Sequence, residues 1–160
     1  MDKFPITRKG YERLEQEIKQ LKFEERPAVI EAISTAREFG DLSENAEYHA
    51  AREKQSFIEG RILDLEDKFS RAEIIDTSKL KPDSVKFGAT VKLIDEDTQE
   101  ELTYLITGEY EADITKSRIS TKSPLAKALI GKVVGDVVEV ATPKGGRAFE
   151  ILEISFINID

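Results

Sequence analysis

The chain has 160 residues, enough for one ordinary domain or two small ones, and 39% of them are hydrophobic, which is too many for general disorder. Its net charge of −8, with no basic excess in either half, argues against independent sequence-specific DNA binding, and the absence of cysteine excludes disulfides and zinc–thiolate sites. The sequence shows no apolar run long enough to span a membrane and no signal-peptide pattern, so we expect a cytoplasmic protein.

Hydrophobic periodicity predicts two long helices between about Thr7 and Ile75, interrupted near Gly40. In the second helix, residues recur at spacings of three and four, as in the seam of a coiled coil: Tyr48, Ala51, Gln55, Ile58, Ile62, Leu65, Phe69 and Ala72. The first helix begins in the same way and its apolar face then shifts, which is typical of a stutter: Tyr11, Leu14, Ile18, Leu21, Glu25, Val29, Ile33 and Ala36. Pro27 lies where a kink is expected.

Gly40 follows the last apolar residue of the first helix, where a left-handed C-terminal cap is favoured. Because only a few residues join the two helices, we expect an antiparallel hairpin, with Leu21 near Ile62 and Leu14 near Phe69. A helix of about 30 residues is about 45 Å long. The first part of the chain is therefore predicted to be a thin rod that ends at this turn.

Beyond Asp76 the periodicity changes from helix to strand, after a segment of linker composition. Hairpin turns are predicted at 95–97 and 143–146. Strands are predicted at 85–94, 102–107, 136–142 and 148–154.

One short helix is predicted at 123–131, because Ser123 suits an N-cap, Pro124 the first helical position and Gly131 the end of the helix. The fold class is therefore α+β. We expect a coiled-coil helical hairpin at 1–76 and, at 77–160, an antiparallel sheet with one short helix packed on it.

The turn between the two predicted helices is acidic without a compensating cation. Residues 38–47 contain four carboxylates and neither Lys nor Arg: Glu38, Asp41, Glu44 and Glu47. Such a density of like charge costs stability unless a cation arrives from outside, and a metal ion is the obvious candidate. The structural alternative is a capping box on the second helix, with Asp41 as its N-cap and Glu44 as its third residue.

The sequence Gly40-Asp41-Leu42-Ser43-Glu44-Asn45-Ala46-Glu47-Tyr48, followed by 50–53 and 60–62, resembles the signature of the Gre transcript-cleavage factors of bacterial RNA polymerase, and within that family the GreA type. The resemblance continues in chain order through the second half, at 74–76, 87–91, 119–120, 123–124 and 129–131. It leaves only the tail Phe156–Asp160 without a clear counterpart.

The resemblance implies a fold, an activity and a partner. The fold is a coiled-coil hairpin joined to a C-terminal domain similar to the FK506-binding proteins. The C-terminal domain docks at the rim of the RNA polymerase secondary channel, and the hairpin tip reaches the active site, where the 3′ end of backtracked nascent RNA is extruded. The polymerase itself then cleaves the RNA, which rescues arrested complexes. The factor is therefore not an enzyme. It binds no cofactor alone and shares the weakly held second Mg²⁺ of the polymerase.

The family's metal-contacting tip positions correspond to Asp41 and Glu44, which would assist catalysis in the polymerase active site. The resemblance also extends to Tyr48, which would orient water or contact RNA. Arg37 and Arg52 flank the tip on opposite helices and are expected to bind backbone phosphates of the extruded RNA. Polymerase docking is implied for a further set of residues: Ser120, Ser123 and Pro124.

Each of these roles has a structural alternative. For the two arginines it is a solvated, salt-bridged face, and for Tyr48 it is packing in the seam. Ser123 and Pro124 are already explained by helix capping. His49, the single histidine, has no partner set for catalysis or metal binding and is expected at the surface.

Three other functions fit parts of the sequence. A channel-binding regulator that inhibits cleavage would share the architecture but would need a different tip, and this tip keeps the family's Asp-Leu-x-Glu-Asn pattern. A peptidyl-prolyl isomerase would need a dense aromatic pocket in the second half, which has no Trp. A plain coiled-coil adaptor would leave the acidic tip without a purpose.

Overall fold

The computed structural model describes residues 2–156, except for the side chain of Lys79, so the predicted tail lies outside the described residues beyond Phe156. The chain forms two compact units. The hairpin unit contains Asp2 and Tyr11–Ala72, and the sheet unit contains Lys3–Gly10 and the chain from Glu73 onward. No helix in the described part of the chain combines the length and apolar character needed to cross a membrane.

The hairpin unit is built from helix α1 (Arg8–Gln20) beyond its first three residues, together with α2 (Arg26–Arg37) and α3 (Ala46–Arg71). A π-helical turn at Leu21–Glu25 lies between α1 and α2. The predicted seam is confirmed. The remaining predicted positions are partly buried. The buried members of the seam come from both arms of the hairpin: Leu14, Leu21, Val29, Ala36, Ile58, Ile62 and Leu65.

The π-helical turn gives the predicted stutter a physical form. In this turn the Arg26 N–H donates to the Leu21 carbonyl, five residues back, so the chain gains one residue relative to an α-helical turn. The extra residue moves the apolar face from Leu21 round to Val29. Pro27, which has no N–H to donate, lies in the first turn of α2, where that N–H is dispensable.

Ion pairs between the two arms confirm the antiparallel pairing. The Arg26 guanidinium donates two hydrogen bonds of 2.8 Å to the Glu59 carboxylate. Lys22 Nζ donates to Glu66 Oε2 at 2.7 Å. Tyr11 stacks on Phe69 with their ring centroids 4.8 Å apart. Phe69 was predicted to lie near Leu14, and Tyr11 is one helical turn before Leu14.

The sheet unit contains a five-stranded sheet whose strands are β3 (Thr90–Asp95), β4 (Glu101–Thr107), β5 (Arg118–Ser120), β6 (Val137–Thr142) and β7 (Gly145–Ser155). Their order in the sheet is β5-β4-β3-β7-β6. Neighbouring strands are antiparallel, as expected, except that β5 lies parallel to β4.

Helix α4 (Pro124–Leu129) contributes to the core of this sheet, and its predicted N-cap is confirmed because the Ser123 hydroxyl accepts from the Ala126 N–H at 3.2 Å. The predicted strand 85–94 begins only at Thr90. The residues before it form a turn in which Gly88 has a φ of +85°.

A second, two-stranded sheet pairs β1 (Phe4–Ile6) with β2 (Ala72–Ile74). The N-terminal segment is held in the sheet unit by the buried carboxylate of Glu111, which accepts from the Thr7 N–H at 3.1 Å and the Gly108 N–H at 3.2 Å. Gly10 lies against this carboxylate, since a Cβ there would come 2.2 Å from Glu111 Oε1. This fixes residues 3–10 to the sheet unit, although they precede the hairpin in sequence.

The turn between β3 and β4 is organised by the buried Asp95. Its carboxylate accepts from the Asp97 N–H at 2.8 Å and from the Arg147 guanidinium Nε at 3.0 Å. The Arg147 side chain also lies over the ring of Phe149. The hydrogen bond from Arg147, followed by those from the backbone of the turn, holds the pKa of Asp95 below its usual range.

Candidate functional site

The tip of the hairpin begins where α2 ends. The Glu38 and Phe39 N–H groups each donate at 3.1 Å to carbonyls three residues back, which closes the helix with a tight final turn. Gly40 then has a φ of +107°, in the left-handed region predicted for it, although it lies two residues beyond the C-cap residue Glu38. A Cβ at Gly40 would meet no atom within 4 Å, so glycine is favoured here by its backbone conformation.

Asp41 and Glu44 are the two ends of one turn. The Glu44 N–H donates to the Asp41 carbonyl at 3.3 Å. Within the turn, Asp41 Oδ1 accepts from the Ser43 N–H at 3.0 Å and from the Ser43 hydroxyl at 2.8 Å. These two bonds hold the pKa of the Asp41 carboxyl below its usual range, so this exposed group is ionised at neutral pH.

The predicted capping box is wrong, because the N-cap of α3 is Asn45. The Asn45 side-chain oxygen accepts from the Tyr48 N–H at 3.0 Å, and its Nδ2 donates to the Ala36 carbonyl at 2.6 Å. The same amide therefore caps α3 and fastens it to the end of α2. Asp41 is bonded to Ser43 instead, and Glu44 precedes the cap and does not occupy the first turn.

Capping therefore does not explain the acid at the tip. Within the described residues, the side chain of Glu44 makes no hydrogen bond or ion pair, and none of the tip carboxylates pairs with a cation: Glu38, Asp41, Glu44 and Glu47. Asp41 still stabilises the turn through its hydrogen bonds from Ser43, but these bonds need only an acceptor oxygen and not a negative charge.

The donor chemistry suits Mg²⁺ only in part. Asp41 and Glu44 offer exposed anionic oxygens, the ligand type that Mg²⁺ prefers, and one oxygen of Asp41 is not engaged by Ser43. Across residues 2–156, however, no three metal-ligating side chains come together as a site. The tip can therefore supply one or two ligands to an ion whose remaining ligands come from elsewhere.

Arg37 and Arg52 lie on one side of the hairpin. Arg37 follows Arg26 by about three helical turns and Arg52 precedes Glu59 by about two, so both project on the side where Arg26 bonds Glu59. Lys22 and Glu66 form an opposite-charge pair further along the same side. The two arginines are exposed, and in the described part of the chain neither has an ion pair, so the salt-bridged alternative finds no support.

Tyr48 and His49 lie in the first turn of α3. Tyr48 is partly buried, as its seam position predicts, and its ring meets the His49 ring edge-on with centroids 5.5 Å apart. His49 is exposed, as expected, but its Nε2 lies 3.3 Å from the Ser43 carbonyl, so it contacts the acidic turn. Neither this contact nor the role of Asn45 was predicted from the sequence, although the preference of asparagine for N-cap positions was a signal for Asn45.

The residues expected to dock the polymerase belong to the sheet unit. The Ser120 hydroxyl accepts from the Lys122 N–H at 3.0 Å, while Ser123 and Pro124 begin α4. The structure thus places Asp41 and Glu44 in one turn, with Arg37 at the end of α2 and Tyr48 and Arg52 in the first turns of α3. The set around Ser123 is held in a separate unit.

Comparison with known proteins agrees with this arrangement. Residues 4–74 match the family model described as transcription elongation factor, N-terminal, and residues 80–156 match the one described as transcription elongation factor, GreA/GreB, C-term. Transcription elongation factor GreA of Rickettsia canadensis is 64% identical over 154 residues, covering 96% of this chain and 95% of that relative. The Rickettsia prowazekii protein of the same name is 64% identical over 158 residues, covering 99% and 98%.

The crystal structure of GreA factor homolog 1 (Gfh1) of Thermus thermophilus is 33% identical and covers 96% of this chain and 99% of that one, with a TM-score of 0.45. The two family models together span nearly all of the described residues. The chain therefore belongs to the GreA/GreB family of transcription elongation factors and is of the GreA type.

Proposed function

We propose that this chain binds RNA polymerase and stimulates the polymerase's own cleavage of backtracked RNA, with the hairpin tip placed in the secondary channel. The observation that carries the proposal is the tip itself, where a hydrogen-bonded turn presents Asp41 and Glu44 with no internal cation. The relatives named transcription elongation factor GreA support the coarser part of the proposal, a role in transcription elongation.

Asp41 and Glu44 would assist in trans as ligands of an Mg²⁺ shared with the polymerase. A second Mg²⁺ supplies activation of water or stabilisation of the leaving oxygen in phosphodiester hydrolysis. The Ser43 bonds fix the Asp41 carboxylate within the turn and keep it ionised. Glu44 approaches from the other end of the same turn. Together they would contribute anionic oxygens that the tip cannot use internally.

Arg37 and Arg52 would bind the RNA. Two unpaired guanidinium groups on one side of the hairpin suit the phosphates of an extruded strand, because each can donate two parallel hydrogen bonds. Tyr48, at the base of the tip, could position the RNA end or a water through its exposed part. Its partial burial in the seam supports the packing role, and only the exposed part of the ring would be free to contact RNA.

The sheet unit would hold the factor on the polymerase, at the rim of the channel, through the set Ser120, Ser123 and Pro124. The reaction itself would take place in the polymerase active site, to which the hairpin tip would contribute one or two Mg²⁺ ligands. With this activity the protein would act in the cytoplasm, and the nascent RNA 3′ end would be its second partner beside the polymerase.

The test uses the full chain with purified polymerase and a stalled, backtracked elongation complex. We expect the factor with RNA and Mg²⁺ alone to release nothing, and the complex with the factor to release short 3′ fragments. Cleavage of free RNA by the factor alone would contradict the accessory role, and slower cleavage in its presence would establish an inhibitor.

A further inference from the structure

A buried carboxylate that the proposed function does not use holds the segment of the sheet unit in which α1 begins. Glu111 is only 6% exposed, and both of its carboxylate oxygens accept hydrogen bonds from the backbone. Oε1 accepts from the Thr7 N–H at 3.1 Å, and Oε2 accepts from the Gly108 N–H at 3.2 Å. Burying a carboxylate is costly unless it is hydrogen-bonded, so Glu111 is stable in this position while it holds both backbone groups.

Two glycines let the backbone come close to this carboxylate. A Cβ at Gly10 would overlap the Glu111 carboxylate, and a Cβ at Gly108 would overlap the Pro5 carbonyl oxygen. All of these residues belong to the sheet unit. We refer to the set as the Glu111 joint: Pro5, Thr7, Gly10, Gly108 and Glu111.

The Glu111 joint fixes the first turn of α1. Thr7 Oγ1 accepts from the Gly10 N–H at 3.0 Å, which caps the helix, and the Thr7 N–H is the group that Glu111 holds. Helix α1 then continues without a break from Gly10, in the sheet unit, to Tyr11, in the hairpin unit. Because the helix is continuous there, a displacement of its first turn is carried into the hairpin arm.

The length of the arm enlarges any such displacement. From Gly10 to Arg37 the helical arm is about 40 Å long at about 1.5 Å per residue. A tilt of about 3° in the first turn would therefore move the end of α2 by about 2 Å. Misplacing a reacting group by about 1 Å can slow a reaction roughly 100-fold. The tip is thus more sensitive to the Glu111 joint than the fold of the hairpin is.

We propose that Glu111 is a positioning residue for RNA cleavage, which directs the hairpin tip by holding the first turn of α1 in the sheet unit. This inference rests on the proposed function and extends it to a residue outside the tip. A role in stability alone predicts a different result. It would lower the fraction of folded factor, which raises the factor concentration needed and leaves the rate at saturation unchanged. A positioning role lowers the rate at saturation and leaves that concentration unchanged.

The test compares two variants of the full chain in the backtracked polymerase complex. In Glu111→Gln one carboxylate acceptor becomes an amide NH₂, which cannot accept a hydrogen bond. In Gly10→Ala the new methyl group displaces the carboxylate, while alanine is a better helix former than glycine. For both variants we expect the cleavage rate at saturating factor to fall roughly 10- to 100-fold, with the half-saturating concentration within about two-fold of the wild type.

Each variant has a matched control. Gly60→Ala also adds a methyl group to a helix, but a Cβ at Gly60 would meet no atom within 4 Å. Glu153→Gln removes one negative charge from an exposed position of β7. Both controls should cleave as the wild type does. Hydrogen exchange at the Thr7 and Gly108 amides reports on the joint itself, and it should accelerate in the two joint variants and in neither control.

Accelerated exchange together with wild-type cleavage at saturation would overturn the inference and leave the proposed function standing. A higher half-saturating concentration with an unchanged maximal rate would also overturn it, because that result assigns Glu111 to stability alone. Unchanged exchange in both joint variants would show that Glu111 does not hold this segment, and the inference would be wrong. If Glu111→Gln does not fold, Gly10→Ala decides the question. Failure of the wild type to stimulate cleavage would contradict the proposed function and this inference with it.

Discussion

Asp41 at the hairpin tip and Asp95 in the sheet unit form the same local structure with opposite electrostatic outcomes. Each carboxylate accepts from the N–H group two residues ahead, at 3.0 Å from Ser43 and 2.8 Å from Asp97. Asp95 is buried and bonded to Arg147. Asp41 is exposed, and only the uncharged Ser43 lowers its pKa.

This difference separates two roles of an aspartate in a turn. The hydrogen bond to the N–H group builds the turn in both places, and an asparagine oxygen could make it equally well. Only the sheet unit supplies an internal partner for the charge. Asp113, in a third such turn, also has nearby cations in Lys116 and Arg118. The charge of Asp41 therefore has no structural use within the described chain and remains available to an external cation.

The largest expected effect follows from neutralising the tip. In Asp41→Asn/Glu44→Gln the turn can keep its hydrogen bonds, whereas both anionic ligands are lost. We expect cleavage at saturating factor to fall roughly 30- to 1000-fold, the scale of losing electrostatic stabilisation in a transition state. The melting curve and the binding to polymerase should change little, and higher Mg²⁺ should restore part of the rate.

Glu53→Gln is the control for this variant, since it removes one negative charge from an exposed position of α3 outside the turn. It should cleave as the wild type does. Near-normal cleavage by the double variant would assign Asp41 and Glu44 to the structure of the turn alone.

A smaller effect is expected from the cations beside the tip. Arg37→Gln/Arg52→Gln should raise the factor concentration needed for half-maximal cleavage by about 10-fold and make it less sensitive to salt, as expected when phosphate contacts are lost. Lys54→Gln is the matched control, because Lys54 is exposed about half a helical turn round from Arg52. An unchanged salt dependence would exclude phosphate binding by this side of the hairpin.

Neutralising Asp95 should affect stability instead of catalysis. Asp95→Asn keeps an oxygen for the turn but removes the buried carboxylate that pairs with the half-exposed Arg147 guanidinium. We expect the melting temperature of the sheet unit to fall by several degrees, whereas Asp41→Asn leaves it unchanged. Equal melting temperatures for the two variants would show that the internal cation does not distinguish these turns.

Acid titration tests the same distinction through protons. The folded-state pKa of Asp95 is lowered, chiefly by Arg147, so its contribution to stability is fully present above the unfolded value of about 3.9 and is lost as the pH falls through the folded value. Between about pH 5 and this folded value, the stability of the sheet unit should therefore decline more steeply in the wild type than in Asp95→Asn. Identical pH profiles would show that the Asp95–Arg147 ion pair does not contribute to the pH dependence of stability.

The sequence was sufficient for features whose determinants are close in the chain. The seam from Leu14 to Leu65 follows directly from helical periodicity, because each turn of helix buries the same face. Ser123 caps α4 through a bond to an N–H only three residues away. Strand β5 was missed because three residues are too few to show a period, and its pairing with β4 depends on the sheet.

The tip shows why site geometry was harder to predict. Asp41, Ser43 and Asn45 are all capable N-caps, so local preference does not choose among them. The choice depends on the bond from Asn45 to Ala36, nine residues away across the turn. Likewise, the partner of Asp95 is 52 residues distant in Arg147. The acidity of the tip was readable from sequence, whereas the absence of an internal cation required the fold.

Asn45 should give the smallest effect, because it supports the turn without supplying charge. Asn45→Ala removes both the cap on α3 and the bond to Ala36, and loss of such a cap costs about 1 kcal/mol. Asn45→Asp keeps the capping oxygen but cannot donate to the Ala36 carbonyl. Hydrogen exchange at the Tyr48 amide should therefore accelerate in Asn45→Ala and remain slow in Asn45→Asp. Cleavage should fall only a few-fold in either variant, since Asp41 and Glu44 keep their charges. A loss as large as that of Asp41→Asn/Glu44→Gln would mean that the geometry of the turn, and not its charge, limits the activity.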